Sequence, residues 1–168
     1  MNNKPQDEHQ WLQKLVGEWS YEVEVMAAPG QTPDQALEQH VEKSTGTESV
    51  RTLGGFWILA EGQGEMPGCG TATTMMTIGY DPQKQRYSGT WVGSMMSFLW
   101  IYDGELDAAG KSLTLNSEGP SMTGEGKMAK YKDVIEFTSD DQRVMTSHLL
   151  GDDGQWHKFM TVNSRRKS

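Results

Sequence analysis

Apolar and polar residues alternate singly along most of this chain. Trp19, Tyr21, Val23 and Val25 are separated by Ser20, Glu22 and Glu24, the period of a strand with one covered face. The densest block of this pattern lies between Gly70 and Gly104 and reads as three consecutive strands, over 71–80, 86–93 and 98–102. Asp81-Pro82-Gln83-Lys84 joins the first two, with proline where a type I turn wants its φ preset. In the second strand Tyr87, Gly89 and Trp91 share one face, and Ser88, Thr90 and Val92 the other.

The alternation is broken near the start. Over 5–15, Trp11, Leu12 and Leu15 fall at helical spacing, Asp7 and Glu8 suit a helix N-terminus, and Gly17 can end it. The longest connection, 29–40, holds Thr32-Pro33-Asp34-Gln35. This fits a short helix over 33–39, begun by a capping box, as well as it fits a polar loop. Further strands are predicted over 41–53 (with Gly46 as a bulge or bend), 56–65, 111–118, 131–138, 144–150 and 156–162, and the tail 165–168 reads as solvated. Ten sequential strands with short turns pair with their neighbours. A sheet of that size closes, because closure removes its edges. The expected fold is therefore an all-β, up-and-down antiparallel barrel of about ten strands, wide enough to keep a cavity. The helix over 5–15 should close one end, with Trp11 beneath the barrel and Trp19 buried. An immunoglobulin-like sandwich competes, but the cysteine and tryptophan pattern that would support it is missing.

At 168 residues the chain fits one domain, 1–168, able to bury a core. Its 19 glycines follow no period, which fits many turns and excludes collagen. A net charge of −8 argues against nucleic acid and against an anionic membrane surface. No apolar run is long enough to cross a bilayer, and the first ten residues lack the apolar core of a signal peptide. A single cysteine, Cys69, excludes an internal disulfide. A cytoplasmic protein is expected.

Several segments resemble one bacterial family. Leu15-Val16-Gly17-Glu18-Trp19 is similar to the Gly-x-Trp start of lipocalin-like barrels. Gly46-Thr47-Glu48-Ser49-Val50-Arg51, Leu53-Gly54-Gly55-Phe56, Gly64-Glu65-Met66, Ile78-Gly79-Tyr80-Asp81, Tyr87-Ser88-Gly89-Thr90-Trp91 and Asp140-Asp141-Gln142-Arg143-Val144 resemble the family catalogued as domain of unknown function 1579. The resemblance implies a calycin-type barrel and no particular activity.

Chemistry has few footholds. Met75-Met76 and Met95-Met96 lie on or beside neighbouring strands, and only one of a pair on a strand can face inward. Thioethers suit an adaptable apolar pocket, and copper(I) ligation would need a compact cluster that the spacing does not supply. Of His9, His40, His148 and His157, the last two fall on opposite faces of the final hairpin and cannot share a metal. Either could hold haem, as in barrels of nitrobindin type. Glu48 shares a face with Val50, and Asp133 with Tyr131, Ile135 and Phe137, so both acids, with Glu61, are candidates to enter the cavity. Arg51 or Lys132 would neutralise them from the rim. No nucleophile elbow, phosphate loop or dinucleotide fingerprint occurs, and Cys69 has no histidine paired with it in sequence.

The pattern points to a module that binds a small, mostly apolar ligand bearing a polar group and needs no resident metal or cofactor. The expected cavity lining is Glu48, Trp57, Met75, Trp91, Met95, Trp100 and Asp133. An enzyme using Glu48 or Asp133 as acid or base, and a haem-binding barrel, are the alternatives. Phe98, Trp100 and Tyr102 share one face of their strand while Leu99 and Ile101 occupy the other. A strand apolar on both faces is usually covered on both, which points to a homodimer built around it.

Overall fold

A computed structural model describes residues 4–26, 42–66, 70–122 and 126–168. A short helix, α1 (Asp7–Gln13), precedes ten strands: β1 (Gly17–Val25), β2 (Glu42–Leu53), β3 (Trp57–Met66), β4 (Gly70–Asp81), β5 (Arg86–Gly93), β6 (Trp100–Leu106), β7 (Ser112–Pro120), β8 (Met128–Ser139), β9 (Gln142–Leu150) and β10 (Trp156–Arg166). Every strand pairs antiparallel with its sequence neighbours, and β1 pairs with β10, so the sheet is a closed barrel. The seam runs from Trp19 opposite Arg166 to Val25 opposite Met160.

Two ends result. The turns after β2, β4, β6 and β8 gather at the end where α1 sits; β1, β3, β5, β7 and β9 run their last residues to the far end. At the helix end the interior is solid. Trp11, Leu12, Leu15, Trp19, Ile58, Ile78, Tyr87, Leu113, Leu115 and Ile135 are buried, each worth roughly 1.5–3 kcal/mol in removed apolar surface. The polar groups of the plug are satisfied as it enters. Trp11 Nε1 donates to Gly110 O at 2.8 Å, Trp19 Nε1 to Leu15 O at 2.8 Å, and Tyr87 Oη to Glu8 O at 3.1 Å. Buried His9 accepts from Gln6 N at Nδ1, so its Nε2 carries the proton given to Tyr80 O at 3.2 Å.

Three sequence expectations are corrected. Gly46 is no bulge, for its register with β1 and β3 is regular; it is glycine because the Tyr21 ring lies where a Cβ would stand. The bulges fall instead at Lys158/Met160 and Phe137/Ser139. Phe98 and Leu99 precede β6, which starts at Trp100. The tail is not free. Arg166 ends β10 and donates to Val16 O at 2.7 Å and Lys14 O at 3.0 Å, which fastens the chain's end to the helix exit. The segment 33–39 lies outside the described residues.

Gly89 faces inward between Tyr87 and Trp91, and a Cβ there would run into Thr77 O and Ile78 on β4. Gly89→Ala is expected to lower stability by about 2 kcal/mol in urea unfolding, whereas Ser88→Ala on the outer face should stay within roughly 0.5 kcal/mol.

Candidate functional site

Inward side chains change character along the barrel. Toward the far end Val23, Thr74, Trp91, Trp100, Asp133, Met145 and Val162 all keep partial exposure although they face the interior. Ala72, Tyr131, Ser147 and Leu149 are buried on the same inward face, and two polar groupings lie along the lumen.

The lower grouping rests on Trp19. Arg143, 6% exposed in its side chain, reaches from β9 across the seam to pair with Glu48 on β2. The guanidiniums of Arg143 and Arg166 lie over the Trp19 ring at 4.5 and 4.3 Å, a cation–π contact that holds both in place. Arg143 Nε is buried and has no acceptor among the described residues. Tyr21 stands beside this pair, its hydroxyl pushed above its ordinary value by burial and by Glu48.

The upper grouping is Asp133, on β8. Tyr102 Oη donates to one of its oxygens at 2.7 Å and Ser147 Oγ to the other at 2.6 Å. Protein encloses the carboxyl, and burial raises its pKa more than the two donors lower it. The same burial, with the charge of Asp133, holds the Tyr102 hydroxyl well above the usual phenol range. Nearer the far end, Phe98, Trp100, Tyr131 and Phe159 form a chain of edge-to-face rings with centroids 5.1, 5.1 and 6.2 Å apart. Tyr131 is fixed by its hydroxyl donating to Pro120 O at 2.6 Å.

The structure sorts the expected lining. Glu48, Trp91, Trp100 and Asp133 face the interior, and Met95, in the loop after β5, is partly covered and packs over Gly93. Trp57 and Met75 do not line the lumen. Ile58 and Ala60 take the inward positions of β3, and Met76 and Ile78 those of β4, so their neighbours point out, 42% and 41% exposed. Trp57 lies flat on Gly79 instead. Glu61 is likewise on the outer face. Arg51 and Lys132 neutralise neither acid. Arg51 is exposed, Lys132 sits over the outer ring of Trp156 at 4.4 Å, and the cation beside Glu48 is Arg143. His148 lies on the outer face between Lys132 and Lys158, and partial burial, with the charges of the two lysines, lowers its pKa. His157 is tied to Asp153 at 2.9 Å at the far end. His40 and Cys69 lie outside the described residues.

Sequence reasoning missed Arg143, Tyr102 and Ser147 as partners of the acids. The signal available was that Arg143 and Ser147 occupy the same alternating face as Met145 and Leu149. Among the described residues no three histidine, cysteine or acidic side chains converge as a metal site, and no helix is long and apolar enough to cross a membrane. A concavity of about 770 Å³ lies over β1, β2, β9 and β10, and its lining includes Ser20, Tyr21, Thr47, Gln142, Arg143 and Asn163.

The fold and this interior define a class: a closed ten-stranded antiparallel barrel, plugged by a helix at one end and carrying polar and ionisable groups in its interior. Over residues 4–166 the chain matches the family described as "Protein of unknown function (DUF1579)", and it belongs to that family. No curated protein matches it. Among solved structures it is similar to Rv2717c from M. tuberculosis, with TM-score 0.62 and 10% identity over 98% of this chain and 100% of that one. It is also similar to the S-type phycobiliprotein lyase CPES from Guillardia theta, with TM-score 0.57 and 14% identity over 98% and 99%. At these identities the likeness is one of fold.

Asp133 sets a pH test. Above the ordinary value of 3.8 the unfolded chain has lost this proton while the folded protein keeps it, up to the raised folded value. The folded state then binds more protons, so this group's contribution to stability falls as pH rises through that window. Asp133→Asn is expected to melt higher than the parent, with the difference growing from pH 4 toward neutrality in a series of thermal melts. A difference that shrinks with pH would mean the carboxylate is held as a favoured anion.

Proposed function

We propose that this protein binds a small, mostly apolar molecule bearing one polar group in the far half of its lumen. The observation that carries the reading is the partial exposure of interior side chains. Trp91, Trp100 and Asp133 face inward yet keep accessible surface, unlike Ile58, Ile78 and Ile135, which are fully buried. An unfilled space with aromatic walls and a few fixed polar groups is what a ligand site requires. Catalysis by the two acids has less support, because Glu48 and Asp133 are committed to separate partners rather than to one reacting centre. The phycobiliprotein lyase shares the fold alone and lends no substrate. Within this reading the protein works in the cytoplasm without a resident cofactor.

Binding is testable with the neutral dye N-phenyl-1-naphthylamine. A saturable, blue-shifted fluorescence titration is expected. Thr74→Trp, which fills the lumen from β4, should weaken it at least about tenfold, and Thr73→Trp on the outer face should not. Absence of saturation, or equal loss in both variants, would reject the lumen as the site.

The outer wall supports self-association as a companion reading. Met75, Val92, Leu99 and Ile101 are exposed there across β4, β5 and the approach to β6, with Ile101 at 65%. Contiguous apolar surface of this kind marks an interaction site, and a two-fold pair would cover it. Light scattering at tens of micromolar should give twice the chain mass, returning to one chain mass in Ile101→Lys. A monomeric parent would remove this reading.

A further inference from the structure

The lumen holds one carboxyl group without a cationic counterpart among the described residues. Besides the tyrosines, Glu48, Arg143 and Asp133 face inward, with Arg166 over Trp19 at the helix end, where it pairs with Asp141, and His157 at the far end. Glu48 and Arg143 neutralise each other, and His157 is bound by Asp153. Asp133 receives two hydroxyl donors and no cation. Its strand neighbour Lys132 points outward over Trp156. Hydroxyl donors ease the cost of burying a carboxylate and do not cancel its charge.

Beside this carboxylate, toward the far end, stands the aromatic wall. Tyr131 lies two residues before Asp133 on the same face of β8, and Trp100 two before Tyr102 on β6, spacings of about 7 Å along a strand. The Trp100 and Tyr131 rings meet at 5.1 Å, and Tyr131 and Phe159 at 6.2 Å. Aromatic faces attract cations, and an ammonium gains from such a face and from a nearby carboxylate together. An anionic ligand would bring its charge into the lumen beside the carboxyl of Asp133. The acidic whole, at −8, also concentrates cations around the molecule.

We infer that the ligand's polar group is a cation, an amine or quaternary ammonium on an apolar body, seated between Asp133 and the wall of Trp100, Tyr131 and Phe159. This rests on the lumen-binding reading above and names the chemistry that reading leaves open.

Four naphthalene probes of similar bulk test it by calorimetry: 2-(1-naphthyl)ethylamine, its N-trimethylated salt, 1-naphthylacetate and 1-ethylnaphthalene. Both cations should bind at least about tenfold tighter than the hydrocarbon, and the carboxylate more weakly than the hydrocarbon. Asp133→Asn should abolish the preference and leave hydrocarbon affinity unchanged, while Glu61→Gln on the outer face should change neither. Tyr131→Leu should cost the cations a few-fold and Tyr131→Phe, which keeps the ring, should not; this pair carries the test should Asp133→Asn fail to fold. Equal affinities, a preference for the carboxylate, or a cation preference that survives Asp133→Asn would overturn the inference and leave lumen binding standing. Failure of all four probes to bind would overturn both.

Discussion

Trp19 sits where the plug, the seam and the lumen meet, and the rest of the molecule depends on that junction. Its indole N–H is satisfied by Leu15 O at the exit of α1. Its strand pairs with β2 on one side and β10 on the other. Arg166, the last residue of β10, lies over its ring and holds the carbonyls of Lys14 and Val16. Docking the helix and closing the barrel are thus coupled through one side chain. Closure joins the two ends of the chain, a contact of long sequence separation whose ordering cost is met only when the seam and the core form together. What it gains is a sheet without edges and an enclosed volume that must be filled or left to a guest.

The two halves of that volume answer differently. Around Trp19 the packing is complete, and the ionised groups there are a matched pair. Taking either member from Glu48 and Arg143 would leave the other charged and enclosed, a loss of about 3–5 kcal/mol in comparable cases. The unused Nε of Arg143 shows that even this grouping is not fully satisfied. Above it the apolar filling thins, and the inward positions pass to Thr74, Asp133, Ser147 and large rings with exposed surface. A barrel closed at one end by its own helix is built asymmetrically.

Much of this was legible wherever polar and apolar residues strictly alternate. Trp19 among Ser20, Glu22 and Glu24 leaves no choice of face, and Tyr131, Asp133, Ile135 and Phe137 likewise set the inward face of β8. Parity failed where both faces are apolar. Trp57 stands beside Ile58 and Met75 beside Met76, and either member fits inside on hydrophobicity alone. The register decides, because Ile58 pairs with Ile78, and Ile78 with Gly89, in one inward row. Partnerships across the barrel were harder still. Arg143 and Glu48 are 95 residues apart, and no local pattern links them until closure brings β9 and β2 to either side of the seam pair. The tail reads as solvated because Arg-Arg-Lys-Ser has no apolar residue; its role comes from carbonyls that only the helix exit exposes.

Glu48 and Asp133 began as equivalent acids in the sequence and end with different physics. Glu48 keeps 18% of its side chain exposed yet has a guanidinium directly against it, so its charge is settled within the protein. Asp133 has only hydroxyl groups as donors among the described residues, so its charge is expensive when present. A structural role alone does not call for an ionisable group there. An asparagine would accept from Tyr102 or Ser147 at lower desolvation cost. On the proposal above, the partner of this carboxyl comes from outside the chain, and the half-exposed Trp100 and Phe159 rings lie toward the side from which it would come. Function in this family member is therefore to be sought in what the far half of the lumen admits, since the helix half is already occupied by the protein itself.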